Sequence, residues 1–175
     1  DLTVEVAGAF GLNFEAEDTP EGVTFKVPGS QRPSASHYRV EGDWSGAAFP
    51  LVAAAITGKT VALDGLRADS AQGDKAIAQL VADFGAKVEW RDGLLICQGG
   101  ALSAIAEIDV GAVPDLFPIL CVAAACADGV TRLDGSPGLR HKECDRIAAM
   151  ANGLTRCGIE VEELPGGLIV HGGKA

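Results

Sequence analysis

Two stretches, Phe49-Pro-Leu-Val-Ala-Ala-Ala-Ile and Phe117-Pro-Ile-Leu-Cys-Val-Ala-Ala-Ala, are apolar at almost every position. Their alanine content and length predict helices, the first spanning Trp44 to Thr57. The apolar faces at Leu51 to Ile56 and Ile119 to Ala127 are wide, so both helices are expected in the interior, covered by sheets on more than one side. Thr60-Val-Ala-Leu is β-branched and bounded by Gly58 and Asp64-Gly65, the signature of a short strand. Ala76-Ile-Ala-Gln-Leu-Val-Ala-Asp-Phe carries apolar residues at 77, 80, 81 and 84, one helical face, and Gly85 stops it. Lys87-Val-Glu-Trp and Leu94-Leu-Ile-Cys flank Arg91-Asp-Gly, which predicts a hairpin. With Tyr38-Arg-Val-Glu as a leading strand, the order is βαβαββ.

The pattern then repeats. The two Phe-Pro runs each lead through a Gly to Leu-Asp-Gly, at Leu63–Gly65 and Leu133–Gly135. Gly73-Asp-Lys with its helix to Gly85 is matched by Cys144-Asp-Arg with its helix to Gly158, and Lys87-Val-Glu by Glu160-Val-Glu. Leu94-Leu-Ile-Cys is matched by Leu168-Ile-Val-His. An offset of about 70 residues suits a duplicated supersecondary unit better than a solenoid. The first forty residues read as part of a further unit: a helix ending near Gly11, strands at Leu12-Asn-Phe-Glu and Val23–Val27 around Pro20-Glu-Gly, and a connection over Pro28–His37. No cap or proline announces the opening helix, so its start is expected upstream of Asp1, in a longer protein. The expected organisation is residues 1–40 as the tail of one unit with a crossover, and units at 41–104 and 105–175, with a lobe boundary near Arg39–Asp43.

Charge and composition narrow the function. The 175 residues are 47% apolar and 5% aromatic with a formal charge of -10 and no basic stripe, which argues against a nucleic-acid surface. The longest apolar run, Phe117–Ala127, contains Pro118 and is too short to span a membrane. Five unevenly spaced cysteines form no Cys-x-x-Cys pair and lie at no ligand spacing to His37, His141 or His171, so they read as reduced cytosolic thiols. No metal and no cofactor are expected, and the compartment is expected to be cytoplasmic.

Three places carry candidate chemistry. Asp43 and Ser45 stand at the mouth of the first apolar helix, where a cap is the plain reading. Asp115, in Val113-Pro-Asp-Leu-Phe-Pro, stands at the equivalent mouth in the second copy. Arg140-His-Lys-Glu-Cys-Asp-Arg is read as the start of that copy's second helix, with Lys142 and Arg146 on one face and Glu143 able to pair with Arg146. Thr57-Gly-Lys-Thr leaves a helix and enters a strand, the reverse of a phosphate-binding loop, and Ala53 replaces its leading glycine. It is a turn.

Tyr38-Arg-Val-Glu-Gly-Asp-Trp-Ser-Gly-Ala, Ser70-Ala-Gln-Gly-Asp, Val113-Pro-Asp and Arg140-His-Lys-Glu-Cys-Asp-Arg occur in the order and near the spacing of the 5-enolpyruvylshikimate-3-phosphate synthases. The chain resembles that family over essentially its whole length. The resemblance implies an α/β fold of repeated βαβαββ units in an inside-out prism, two such lobes in the complete enzyme, and transfer of the enolpyruvyl group of phosphoenolpyruvate to shikimate 3-phosphate. It implies Asp115 as base, Glu143 as proton donor, Lys142 as a shikimate 3-phosphate ligand and Arg146 as a phosphoenolpyruvate ligand. Its partners would be those two substrates and the remaining lobe, so the chain alone is expected to be inactive. Gly46 and Gly138 depart from the serine and asparagine usual in the family. The sister transferase acting on a UDP-amino sugar shares the architecture but lacks the Lys-Glu-x-Asp-Arg string; a non-catalytic lobe is the other alternative.

Overall fold

The computed structural model describes residues 2–34 and 37–173, which divide into two compact units, 1–41 and 42–175. In the larger unit, α2 (Trp44–Thr57) has the predicted bounds because both ends are closed locally. The Asp43 carboxylate accepts from the N–H groups of Ser45 (3.1 Å) and Gly46 (2.9 Å). At the other end Gly58 takes the left-handed conformation, φ 67°, and returns its N–H to the Ala54 carbonyl. Asp43 is thus a helix cap, and Asp43→Ala is expected to destabilise the unit by about 1 kcal/mol in a urea titration.

A three-stranded antiparallel sheet follows, in the order β3 (Thr60–Leu63), β5 (Leu94–Gln98), β4 (Lys87–Arg91). Between β3 and β4 a 3-10 turn at Gly73–Ala76 leads into α3 (Ile77–Asp83). Asp92 and Gly93 both have positive φ, 52° and 80°, the two-residue turn that suits the twist of a hairpin. The second copy has α4 (Phe117–Cys126), α5 (Arg146–Arg156) and a sheet ordered β6 (Glu107–Asp109), β7 (Val130–Asp134), β9 (Gly167–His171), β8 (Glu160–Leu164). In this sheet β6 pairs with β7 in parallel, and the β7–β9 and β9–β8 pairs are antiparallel.

α2 and α4 form the core, as their wide apolar faces predict. Trp44, Ala48, Leu51 and Val52 of α2 and Phe117, Leu120, Cys121 and Ala124 of α4 are buried, and the two helices pack on each other and on the sheets. Each copy ends with the same close approach. After β5, a Cβ on Gly99 would lie 2.2 Å from the Ala54 carbonyl oxygen; after β9, one on Gly172 would lie 2.2 Å from those of Ala124 and Ala127. Only glycine lets the strand exit reach the end of its buried helix.

The smaller unit contains α1 (Leu2–Ala9) and the antiparallel pair β1 (Glu15–Thr19) and β2 (Gly22–Lys26). Two sequence expectations fail in it. The first strand begins at Glu15 rather than Leu12, because the Gln31 side chain takes both backbone groups of Asn13: it accepts from the N–H and donates to the carbonyl, each at 2.8 Å. Tyr38–Glu41 is not a strand. Its counterpart, β6, is held by a ladder to β7, whereas β3 pairs with β5 alone among the described residues. Four residues without ladder hydrogen bonds do not hold an extended edge.

Candidate active site

Pro114 opens a 3-10 turn, Pro114–Leu116, whose Leu116 is fully buried. With Leu116 pinned inside, Asp115 stands out at the mouth of α4, half exposed. It caps no helix, since its carboxylate is taken by Arg146, whose Nη1 donates to Oδ1 at 2.8 Å. The capping reading therefore holds for Asp43 and fails for Asp115.

The segment after β7 differs from the expected helix. Pro137–His141 forms a 3-10 turn anchored by buried Leu139, residues 142–145 are an open loop, and α5 begins only at Arg146. Asp145 is the reason: its carboxylate accepts from the Ala148 N–H at 3.0 Å, which fixes it as the cap and excludes Lys142 and Glu143 from the helix. Lys142 and Arg146 consequently share no helix face. They meet instead at Asp115, with Lys142 Nζ 3.9 Å from the oxygen that Arg146 holds.

Glu143 reaches the same guanidinium from the other side. Arg146 Nε donates to Oε1 at 2.8 Å and Nη2 to Oε2 at 3.0 Å, a two-pronged pair suited to a planar cation. Arg146 is therefore clasped between two carboxylates, and its side chain is only 19% exposed. The Arg146 hydrogen bonds hold the Glu143 carboxyl below its usual value near 4.5, aided by a backbone hydrogen bond. A depressed carboxylate contributes stability above the unfolded-state pKa and loses it as pH falls through the folded one. Glu143→Gln is accordingly expected to flatten the stability loss below about pH 4.5 in an acid titration followed by circular dichroism.

Asp115, Glu143 and Arg146 line a cleft of about 360 Å³. They form its charged side, Cys144 lies beside them, Ser45 and Phe49 of α2 face it, and Met150 of α5 adds an apolar wall. Ser45 donates to the Asp74 carboxylate, while the Gln72 side chain accepts from the Trp44 N–H (2.9 Å) and donates to the Gly42 carbonyl (3.0 Å). The Ser70-Ala-Gln-Gly-Asp motif thus holds the start of α2 against the cleft. The sequence pattern assigns no role at the site to Phe49, Cys144 or Met150; Cys144 lies beside Glu143 and Met150 one turn after Arg146, while Phe49 has only its place one turn after Ser45 on α2.

Fold and site together define a lobe of the enolpyruvyl-transferase kind: duplicated α/β units with buried helices, and paired carboxylates and cations gathered where two of those units present helix starts. More specifically, the chain belongs to the family of EPSP synthase (3-phosphoshikimate 1-carboxyvinyltransferase), whose sequence model matches residues 1–175. The 3-phosphoshikimate 1-carboxyvinyltransferase of Methanocella arvoryzae is 43% identical over 176 residues, covering 99% of this chain and 40% of that protein. That of Halobacterium salinarum is 40% identical over 180 residues, with the same coverage of 99% and 40%. Among solved structures, EPSP synthase from Acinetobacter baumannii aligns with a TM-score of 0.75 at 33% identity, over 98% of this chain and 40% of that one. The chain thus spans about 40% of the length of the relatives it matches.

Proposed function

We propose that this chain contributes one side of the active site of an enzyme that transfers the enolpyruvyl group of phosphoenolpyruvate to the 5-hydroxyl of shikimate 3-phosphate, with release of phosphate. The observation that carries the reading is the meeting of two acids and two cations from the Asp115 turn, the 142–145 loop and the start of α5: Arg146 holds Asp115 and Glu143 at one cleft, and Lys142 reaches the same Asp115 oxygen. The reaction needs both kinds of group. The attacking hydroxyl loses a proton as its oxygen bonds to the central carbon of phosphoenolpyruvate, and the methylene carbon gains one. The resulting tetrahedral adduct then expels phosphate as a proton leaves its new methyl group, which restores the carbon–carbon double bond. Asp115 takes the hydroxyl proton, Glu143 supplies the methylene proton, and Lys142 and Arg146 bind the anionic substrates.

Arg146 donates to both acids, and a depressed Glu143 carboxyl is a poor proton donor. An incoming carboxylate or phosphate competes for that guanidinium, weakening its hold on Glu143 and raising the carboxyl toward the range in which it can donate. The remaining lobe supplies the other anion-binding groups, so the isolated chain is expected to release no phosphate.

The test is a titration of the full-length protein with shikimate 3-phosphate and, separately, with UDP-N-acetylglucosamine, followed by a phosphate-release assay with phosphoenolpyruvate. Shikimate 3-phosphate should bind and turn over. Turnover of the UDP-sugar alone would assign the protein to the sister reaction instead.

A further inference from the structure

The loop that carries Lys142 and Glu143 has almost nothing inside the protein to hold it. His141 to Cys144 are all exposed, and burial resumes only at Ile147. The contacts of Lys142 and Glu143 run to Asp115 and Arg146, the groups that substrates would engage, so they are weakest when the site is in use. Something else must keep this loop in place through a catalytic cycle.

Arg140 has the geometry for that task. Its Nη1 donates to Asp145 Oδ2 at 2.9 Å, closing a bracket across the four residues His141 to Cys144. Its other nitrogens reach the β8–β9 turn: Nη2 donates to the Leu164 carbonyl (2.8 Å) and to Glu163 Oε2 (3.1 Å), and Nε to the Pro165 carbonyl (3.3 Å). One planar fork thus ties the start of the loop, the cap of α5 and a hairpin of the sheet together. The Ser136 N–H adds a bond to the Gly166 carbonyl at 3.1 Å, so the 3-10 turn that leads into the loop is also tied to that hairpin.

We propose that Arg140 is a positioning residue for the reaction assigned above: it fixes the Lys142–Glu143 segment by bracketing the loop with Asp145 and tethering it to the β8–β9 turn. The proposal rests on the proposed function for its effect on rate, but the bracket itself is a property of the fold. Lysine cannot replace it, having no fork to serve four acceptors.

Two readouts on the full-length enzyme separate the questions. In Arg140→Ala, amide hydrogen exchange over residues 141–145 should rise at least tenfold while α4 stays protected. kcat should fall about 10- to 100-fold, the scale on which small misplacements act. Arg140→Lys should show most of both effects. Asp145→Asn keeps a capping oxygen but loses the ion pair, and the double variant should be little worse than Arg140→Ala alone, because both break the same bracket. Faster exchange without any measurable wild-type reaction would leave the bracket standing and remove the function. Unchanged exchange in Arg140→Ala, kcat within twofold of wild type, or losses that multiply in the double variant would overturn the positioning role. Should Arg140→Ala fail to fold, Arg140→Lys and Asp145→Asn decide by the same criteria.

Discussion

Glu143→Gln in the full-length enzyme is expected to lower kcat by about 10²- to 10⁴-fold, the usual contribution of a general acid. The amide keeps the shape of the side chain and one of its acceptors, so Arg146 and the loop stay in place while the transferable proton is lost. KM for both substrates should move little, since proton delivery to carbon belongs to the transition state and not to ground-state binding. Asp115→Ala should reduce kcat comparably but also disturb binding, because it frees both Arg146 and Lys142 from their shared carboxylate. Stopped-flow phosphate release, with thermal unfolding as a control, distinguishes the two. Turnover at the wild-type rate in either variant would strip that residue of its assigned role.

Phe117→Ala is expected to destabilise the larger unit by about 3–5 kcal/mol, the range for an aromatic removed from a packed core. Phe117 is fully buried at the first position of α4, beside buried Leu116 and Leu120. The cavity would open at the base of the turn that presents Asp115, so loss of activity should accompany loss of stability. Its counterpart in the other copy gives the control. Phe49 occupies the matching Phe-Pro position but is 58% exposed, and Phe49→Ala should shift stability by no more than roughly 0.5 kcal/mol. Equal effects at both positions, measured by urea denaturation, would contradict the burial described here.

Where local chemistry decides, the sequence was readable. Asp43 and Gly58 bound α2, and Arg91-Asp-Gly marks the β4–β5 turn. The errors fall where a distant group intervenes. Gln31 occupies the backbone of Asn13 and delays β1, and Tyr38–Glu41 lacks the ladder that its counterpart has. The Arg140–Arg146 string has the charge spacing of a helix, yet Asp145 caps α5 and Arg140 is drawn to a hairpin over 20 residues away. For the site, Glu143 and Arg146 were legible as a pair because they are three residues apart. That Asp115 joins them was not derivable from spacing, since acids before helices usually cap, as Asp43 does. Gly99 and Gly172 gave no signal, because what they avoid is a carbonyl on another element.

The two walls of the cleft come from different copies of the duplicated unit: Ser45 and Phe49 ride on α2, and the charged groups belong to the second copy. Between the copies α2 and α4 pack on each other, each carrying fully buried residues such as Ala48 and Ala124. Cleft width therefore follows the spacing of α2 and α4, and a bulkier side chain forced between them would act on chemistry as a wedge, without touching any charged atom.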